Sequence, residues 1–229
     1  MQILMGAYTY ALSHSAELIN AIGQHLVLSG VAIAAGILIG FPSGVLTSRS
    51  RLASLTLMNL LNALRVIPSL AILFLIIPYL GLSTSAAAVA LAVLALPPIL
   101  INTDAAFRGV SPAVREAALG MGMTRGQLFW RVEFPLALPV ALTGLRTAMV
   151  EVISSATLAA FVGSGGLGIY ITRGFALFDI SILLVGAVPV ALLTVLAELI
   201  LSVFQRAAEP PGVVTAKHTQ RFSFMRGSL

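Results

Sequence analysis

Apolar residues fall into long blocks with short polar breaks between them. A membrane-crossing helix needs about 20 mostly apolar residues. Stretches of roughly that kind lie at 26–46, 52–80, 86–101, 136–162 and 180–204. The second block is interrupted by Arg65 and Pro68, with Pro78 further on. Proline inside a span is tolerated where neighbouring helices satisfy the freed carbonyl, so this block predicts one kinked helix packed against protein. The pattern predicts an all-α integral membrane protein with about five spans: a membrane domain over 1–206 and a flexible polar tail over 207–229.

Composition excludes the soluble alternative. Of 229 residues, 59% are hydrophobic and 9% charged, with a mean hydropathy of +1.03. Soluble domains carry about 25% charged residues. The net charge of +5 does not signal nucleic acid, because the cations flank apolar blocks. Ten of the thirteen fall on one side if the spans alternate: Arg49 and Arg51, Arg108, Arg115, Arg125 and Arg131, then Arg206, Lys217, Arg221 and Arg226. The positive-inside rule then puts the N-terminus outside and the C-terminus in the cytoplasm. Two full crossings in the second block would break that asymmetry. No cleavable leader is evident at the start of the chain.

The longest polar interruption is 102–134, with four arginines against Asp104, Glu116 and Glu133. Ser111-Pro112 predicts a helix start, with serine as cap and proline in the first turn. Gly120 or Gly122 predicts its end, since glycine suits the left-handed position after a helix. Thr124 and Gln127 fit a capping box opening a second short helix. Taken alone, such a loop is compatible with a plain charged connector. Ala117 and Ala118 are small enough for close approach of another surface, Gly122 permits a sharp turn, Glu116 can pair with a basic group, and Arg115 and Arg125 can reach acidic groups on a partner.

Ionisable residues inside spans are costly and are functional candidates by default. Arg65 and Glu151 lie at comparable depth in the second and fourth blocks, which predicts a cross-span pair with a structural or substrate-lining role. Arg146, nearer the loop, is expected to contact backbone carbonyls or headgroups. Gly163-x-Gly165-x-x-Gly168 matches a dinucleotide fingerprint in form only. No strand precedes it, so a tight turn with Leu167 packed inward is expected. No P-loop lysine exists, the only lysine being Lys217. No cysteine is present, and His14, His25 and His218 share no ligand spacing, so neither a catalytic residue nor a metal site is assigned. A secondary transporter often shows internal repeats, and none stands out; an intramembrane enzyme would need a catalytic pair, and none is visible.

Glu116-Ala117-Ala118, three residues, Gly122, nine residues, then Val132-x-Phe134-Pro135 resembles the EAA loop of ATP-binding-cassette importer permeases. Further segments are similar to the osmoprotectant branch of that family: 67–71 (IPSLA), 96–103 (LPPILINT), 116–124 (EAALGMGMT), 135–139 (PLALP), 144–147 (GLRT), 156–160 (ATLAA) and 163–168 (GSGGLG). The resemblance implies a MetI-like permease core in a bacterial or archaeal inner membrane. It implies a coupling loop made of Arg115, Glu116, Ala117, Ala118, Gly120, Gly122, Thr124 and Arg125. It implies as partners two ATPase subunits, which bind ATP and Mg, a second permease copy or paralogue, and an external substrate-binding protein; this chain itself would bind no cofactor. The implied cargo is glycine betaine, choline or carnitine, or another amino-acid-like solute. Candidates for the translocation path are Arg65, Pro68, Ser69, Glu151, Ser154 and Thr157. Arg65 and Glu151 depart from the branch pattern, in which Gln precedes Ile-Pro-Ser and an uncharged residue holds the second place.

Overall fold

The computed structural model describes residues 2–208, and within them every regular element is helical. Ten α-helices follow in order: α1 (Gln2–Ser13), α2 (Ser15–Thr47), α3 (Arg51–Val66), α4 (Ser69–Leu80), α5 (Thr84–Arg108), α6 (Pro112–Gly120), α7 (Arg125–Leu128), α8 (Phe134–Ser155), α9 (Gly168–Ala176) and α10 (Ile180–Ala208). A π turn, Phe129–Glu133, leads into α8, and a 3-10 turn, Ala156–Val162, follows it. Four helical stretches among the described residues are long and apolar enough to cross a membrane. The α3–α4 pair adds a fifth if counted as one span.

The kink expected at Pro68 is a 95° break. Ile67 precedes the proline and is forced out of the helical region, to φ −72° and ψ 123°. Both halves bury part of one face, Leu61 on α3 and Ile72 and Leu73 on α4, and leave other apolar side chains exposed, among them Leu60 and Val66 on α3 and Leu75 and Tyr79 on α4. Of the flexible tail expected over 207–229, the first two residues belong to α10, which runs to Ala208; the rest of it lies outside the described residues.

Two helices run further than their apolar blocks, and most of the polar groups they take in find partners, the buried Thr103 hydroxyl excepted. α2 starts at Ser15 rather than near 26, because Gln24 and His25 are satisfied from another element. Gln24 Oε1 accepts from Gly166 N–H at 3.0 Å, and His25 Nε2 donates to the Ile153 carbonyl at 3.0 Å. α5 continues past Ile101 to Arg108, carrying Asn102, Thr103 and Asp104 inside the helix. The polar loop proper is correspondingly shorter.

The core is α2, α5 and α8. Gly36, Gly40 and Gly44 form a ridge on α2 at four-residue spacing, set directly on α5. A Cβ on Gly36 would lie 2.7 Å from the Ala95 methyl, and one on Gly44 would lie 2.9 Å from the Leu100 carbonyl oxygen. Small residues allow this backbone approach, and between apolar spans such packing replaces the hydrophobic drive that lipid removes. Exposed apolar side chains on the outer faces, among them Leu38 on α2 and Leu192 and Leu199 on α10, suit a hydrocarbon surround. The 163–168 turn is tight, as expected: Gly163, Gly165 and Gly166 have φ between +77° and +78°, and Leu167 is fully buried.

Candidate functional site

The polar loop folds as two short helices around a glycine corner. α6 begins at Pro112, although the Ser111 hydroxyl makes no capping bond. At its end Gly122 takes φ +84°. Gly122 N–H donates to Leu119 O at 2.9 Å and Met123 N–H to Ala118 O at 3.2 Å, the paired closure of a Schellman end. The capping box is complete: Gln127 N–H donates to Thr124 Oγ1 and Thr124 N–H donates to Gln127 Oε1. The glycine corner and the α7 cap are thus set by local sequence.

What anchors the loop was not read from the sequence. Glu133, in the π turn, is 1% exposed and lies between two guanidiniums. Arg49, just beyond α2, donates Nη1 to Oε1 at 2.9 Å and Nη2 to Oε2 at 2.5 Å. Arg115, on α6, places Nε 2.9 Å from Oε1 and donates Nη2 to the Phe107 carbonyl at 2.5 Å. The expectation that Arg115 reaches toward a partner is therefore corrected: its charge is spent within the chain, tying α6 to α5 and to the start of α8. A π turn admits one extra residue per turn, and here it carries the carboxylate that faces both arginines. Counting charges along the loop gave Glu133 no role, because its partner Arg49 is 84 positions away.

A second lattice braces the same end. Asp104 is buried, accepts from Arg108 Nε at 2.8 Å and from the Ser54 hydroxyl at 2.9 Å. Arg108 Nη2 also donates to Thr47 O and Ser50 O, both at 2.7 Å, closing the carbonyl end of α2. Ala118 faces inward and is buried, so its small size serves packing within the chain. Glu116, Ala117, Gly120, Gly122 and Arg125 stay exposed, beside Leu119 and Met121, which are 46% and 74% exposed. The outcome is an outward apolar and charged surface on a rigidly held helix.

The candidates for the solute path divide. Arg65, Pro68, Ser69 and Glu151 line one cavity of about 200 Å³ at the α3–α4 break, together with Ser155. Ser154 lies on the exposed face of α8 and Thr157 bonds back to Ser154 O at 2.7 Å; neither lines that cavity. The expected Arg65–Glu151 ion pair is not formed: no nitrogen of one comes within 4.0 Å of an oxygen of the other, although they share the space. Glu151 also borders a second cavity, of about 440 Å³, with Thr143, Thr147, Arg146 and Glu198. Arg146 binds side chains of α10 rather than carbonyls. It forms an ion pair with Glu198 and donates to Gln205 Oε1 at 2.6 Å. Along α8, Thr143, Thr147 and Ser154 are exposed and Glu151 half-buried. These positions share one face at helical spacing.

Among known proteins, the family described as "binding-protein-dependent transport system inner membrane component" matches residues 32–210. The chain is 37% identical over 205 residues to the glycine betaine/carnitine/choline transport system permease protein OpuCB of Bacillus subtilis, covering 90% of this chain and 94% of that one. It is 40% identical over 194 residues to the carnitine transport permease protein OpuCB of Listeria monocytogenes, covering 85% and 89%. Its fold superposes on a chain of the inward-facing MetNI methionine ABC transporter with a TM-score of 0.75 and 25% identity, covering 86% of this chain and 99% of that chain.

Proposed function

Because the chain belongs to the family of binding-protein-dependent transport inner membrane components, we propose that it is the permease subunit of an importer for glycine betaine, carnitine or choline. A separate ATP-binding-cassette subunit docks on α6 and hydrolyses ATP; the chain has no P-loop lysine of its own. Two permeases, this chain twice or with a paralogue, bring their α8 faces to a common path. The polar stripe of Thr143, Thr147, Glu151 and Ser154 supports this arrangement, since such groups are costly against acyl chains. An external binding protein delivers the solute, and the cation asymmetry supports a cytoplasmic C-terminus and loop.

The observation that carries this reading is the exposed α6 surface, Glu116, Ala117, Leu119 and Met121, held by Arg115 and Glu133 to the ends of α5 and α8. A partner that pushes on α6 pushes on both spans. ATP-driven closure of the ATPases thereby turns the path from inward- to outward-facing, and nucleotide release reverses it. The choice of solute is supported by the named relatives at 37% and 40% identity.

The test is ATP-dependent uptake of labelled glycine betaine and choline by proteoliposomes holding the complete importer. Glu116→Lys reverses the charge on the docking face. Gly122→Val puts a β-branched residue at φ +84°, where L-residues are strained. Both variants are expected to insert normally, to lose uptake, and to co-purify poorly with the ATPase. Normal uptake by both would overturn the assignment of the loop.

A further inference from the structure

We infer that Arg65 and Glu151 are the two poles of a transit site for a zwitterion, with Arg65 taking a carboxylate and Glu151 a quaternary ammonium. This rests on the importer reading above and makes it narrower. Among the described residues, the other charged side chains that are buried or half-buried are consumed in pairs: Arg115 and the exposed Arg49 hold Glu133, Arg108 holds Asp104, and Arg146 holds Glu198. Exposed charges at helix ends, Glu17, Arg51 and Arg206, carry no ion pair. Glu151 is the half-buried exception, and the exposed Arg65 shares its cavity. Each lacks a side-chain hydrogen bond or ion pair to any described residue, and yet both line one cavity of about 200 Å³.

The fold keeps them apart by construction. Arg65 stands in the last turn of α3, directly before the 95° break at Pro68, and Glu151 projects from α8. The break opens the space and leaves the two charges on walls that belong to different helices. A cavity with a cation on one wall and an anion on another is complementary to a solute bearing both charges. The guanidinium fork matches a carboxylate bidentately. A quaternary ammonium offers no N–H donor, so it asks only for a negative neighbour, which Glu151 supplies. Ser69 and Ser155 add neutral hydroxyls to the same lining.

The arrangement sorts solutes. Glycine betaine and carnitine are zwitterions and satisfy both poles. Choline is a cation alone, is drawn to Glu151 and repelled by Arg65. Glu151 also borders the larger cavity beside Thr143 and Thr147, so a solute released from Arg65 has a polar exit along α8.

The experiment measures equilibrium binding of labelled glycine betaine and labelled choline to the purified permease–ATPase complex in nanodiscs, with uptake by the complete importer in parallel. Wild type is expected to prefer glycine betaine. Arg65→Gln is expected to weaken glycine betaine binding roughly tenfold or more, the scale of one lost charge-assisted contact, while choline binding holds or improves. Arg65→Lys restores part of the preference, and Glu151→Gln weakens both solutes. Equal weakening of both solutes by Arg65→Gln, or recovery of thermal stability and uptake in the Arg65→Gln/Glu151→Gln double variant, would make the pair structural and overturn the inference alone. A wild-type importer that binds and carries neither solute overturns the solute reading of the function and this inference with it.

Discussion

Replacing Glu133 by glutamine isolates the charge that holds the loop. The side chain keeps its size, so little packing is lost, but one of its two acceptor oxygens becomes a donor facing a guanidinium. In the native chain three guanidinium nitrogens lie within 2.9 Å of this carboxylate. Breaking a fully buried pair costs about 3–5 kcal/mol. Here the carboxylate is 1% exposed while Arg49 and Arg115 are 46% and 30% exposed, so water re-solvates the released cations and screens part of the loss. A cost of about 2 kcal/mol remains, on the scale of one hydrogen bond to a charged group. At about 1.4 kcal/mol per tenfold, the population of states with α6 undocked from α8 rises roughly 30-fold. Hydrogen exchange of amides in α6 and α7 reads that directly, and protection in these elements is expected to fall by about the same factor while α2 and α5 are unaffected. In the reconstituted importer, more ATP is spent per solute carried. Unchanged exchange in α6 with an unchanged coupling ratio would refute the view that Glu133 is the anchor.

Two further outcomes follow from the same geometry. Gly44→Val would place Cβ 2.6 Å from the Thr103 Cβ and 2.9 Å from the Leu100 carbonyl oxygen; neither α2 nor α5 can yield without a backbone shift. Overpacking of this kind costs about 1–3 kcal/mol and is expected to lower the thermal midpoint of the solubilised protein, whereas Gly23→Val, with open space at its Cβ, leaves it nearly unchanged. A reporter active only outside the cytoplasm is expected to be active when fused after Ser83 and silent when fused after Gly109; the reverse result would invert the orientation and remove the loop from the reach of a cytoplasmic ATPase.

The features that sequence exposes best are those decided within a few residues. The Thr124–Gln127 capping box, the Gly122 corner and the inward Leu167 depend on local backbone chemistry, and each is found as expected. The spans are legible because lipid leaves backbone groups few alternatives to a helix. Contacts between distant residues are illegible for the opposite reason. Arg49 and Glu133 look like ordinary flanking charges until two helix ends bring them together. Gln24 and His25 look like pre-span polar residues until Gly166 and Ile153 arrive to satisfy them. Arg65 and Glu151 share a cavity, as opposite charges on facing helices would, yet sign and order along the chain say nothing of the lateral gap that a 95° break creates.

The glycine ridge of α2 has a mechanical consequence. With backbone resting on side chain at Gly36, Gly40 and Gly44, and Gly144 of α8 set against the Pro98 carbonyl of α5, no compressible layer separates these spans. Close-packed interfaces of this kind transmit displacement and store little of it. α5 has 25 residues and, at 1.5 Å per residue, is a rod about 37 Å long. A tilt of about 10° about one end carries the other through roughly 6 Å over that length. Both ends of the polar loop, Arg108 and Phe134, are the ends of such rods. A small angular displacement at the loop would be enlarged, without any helix changing shape, into a movement of several ångströms at the far side, on the order of the width of a small solute.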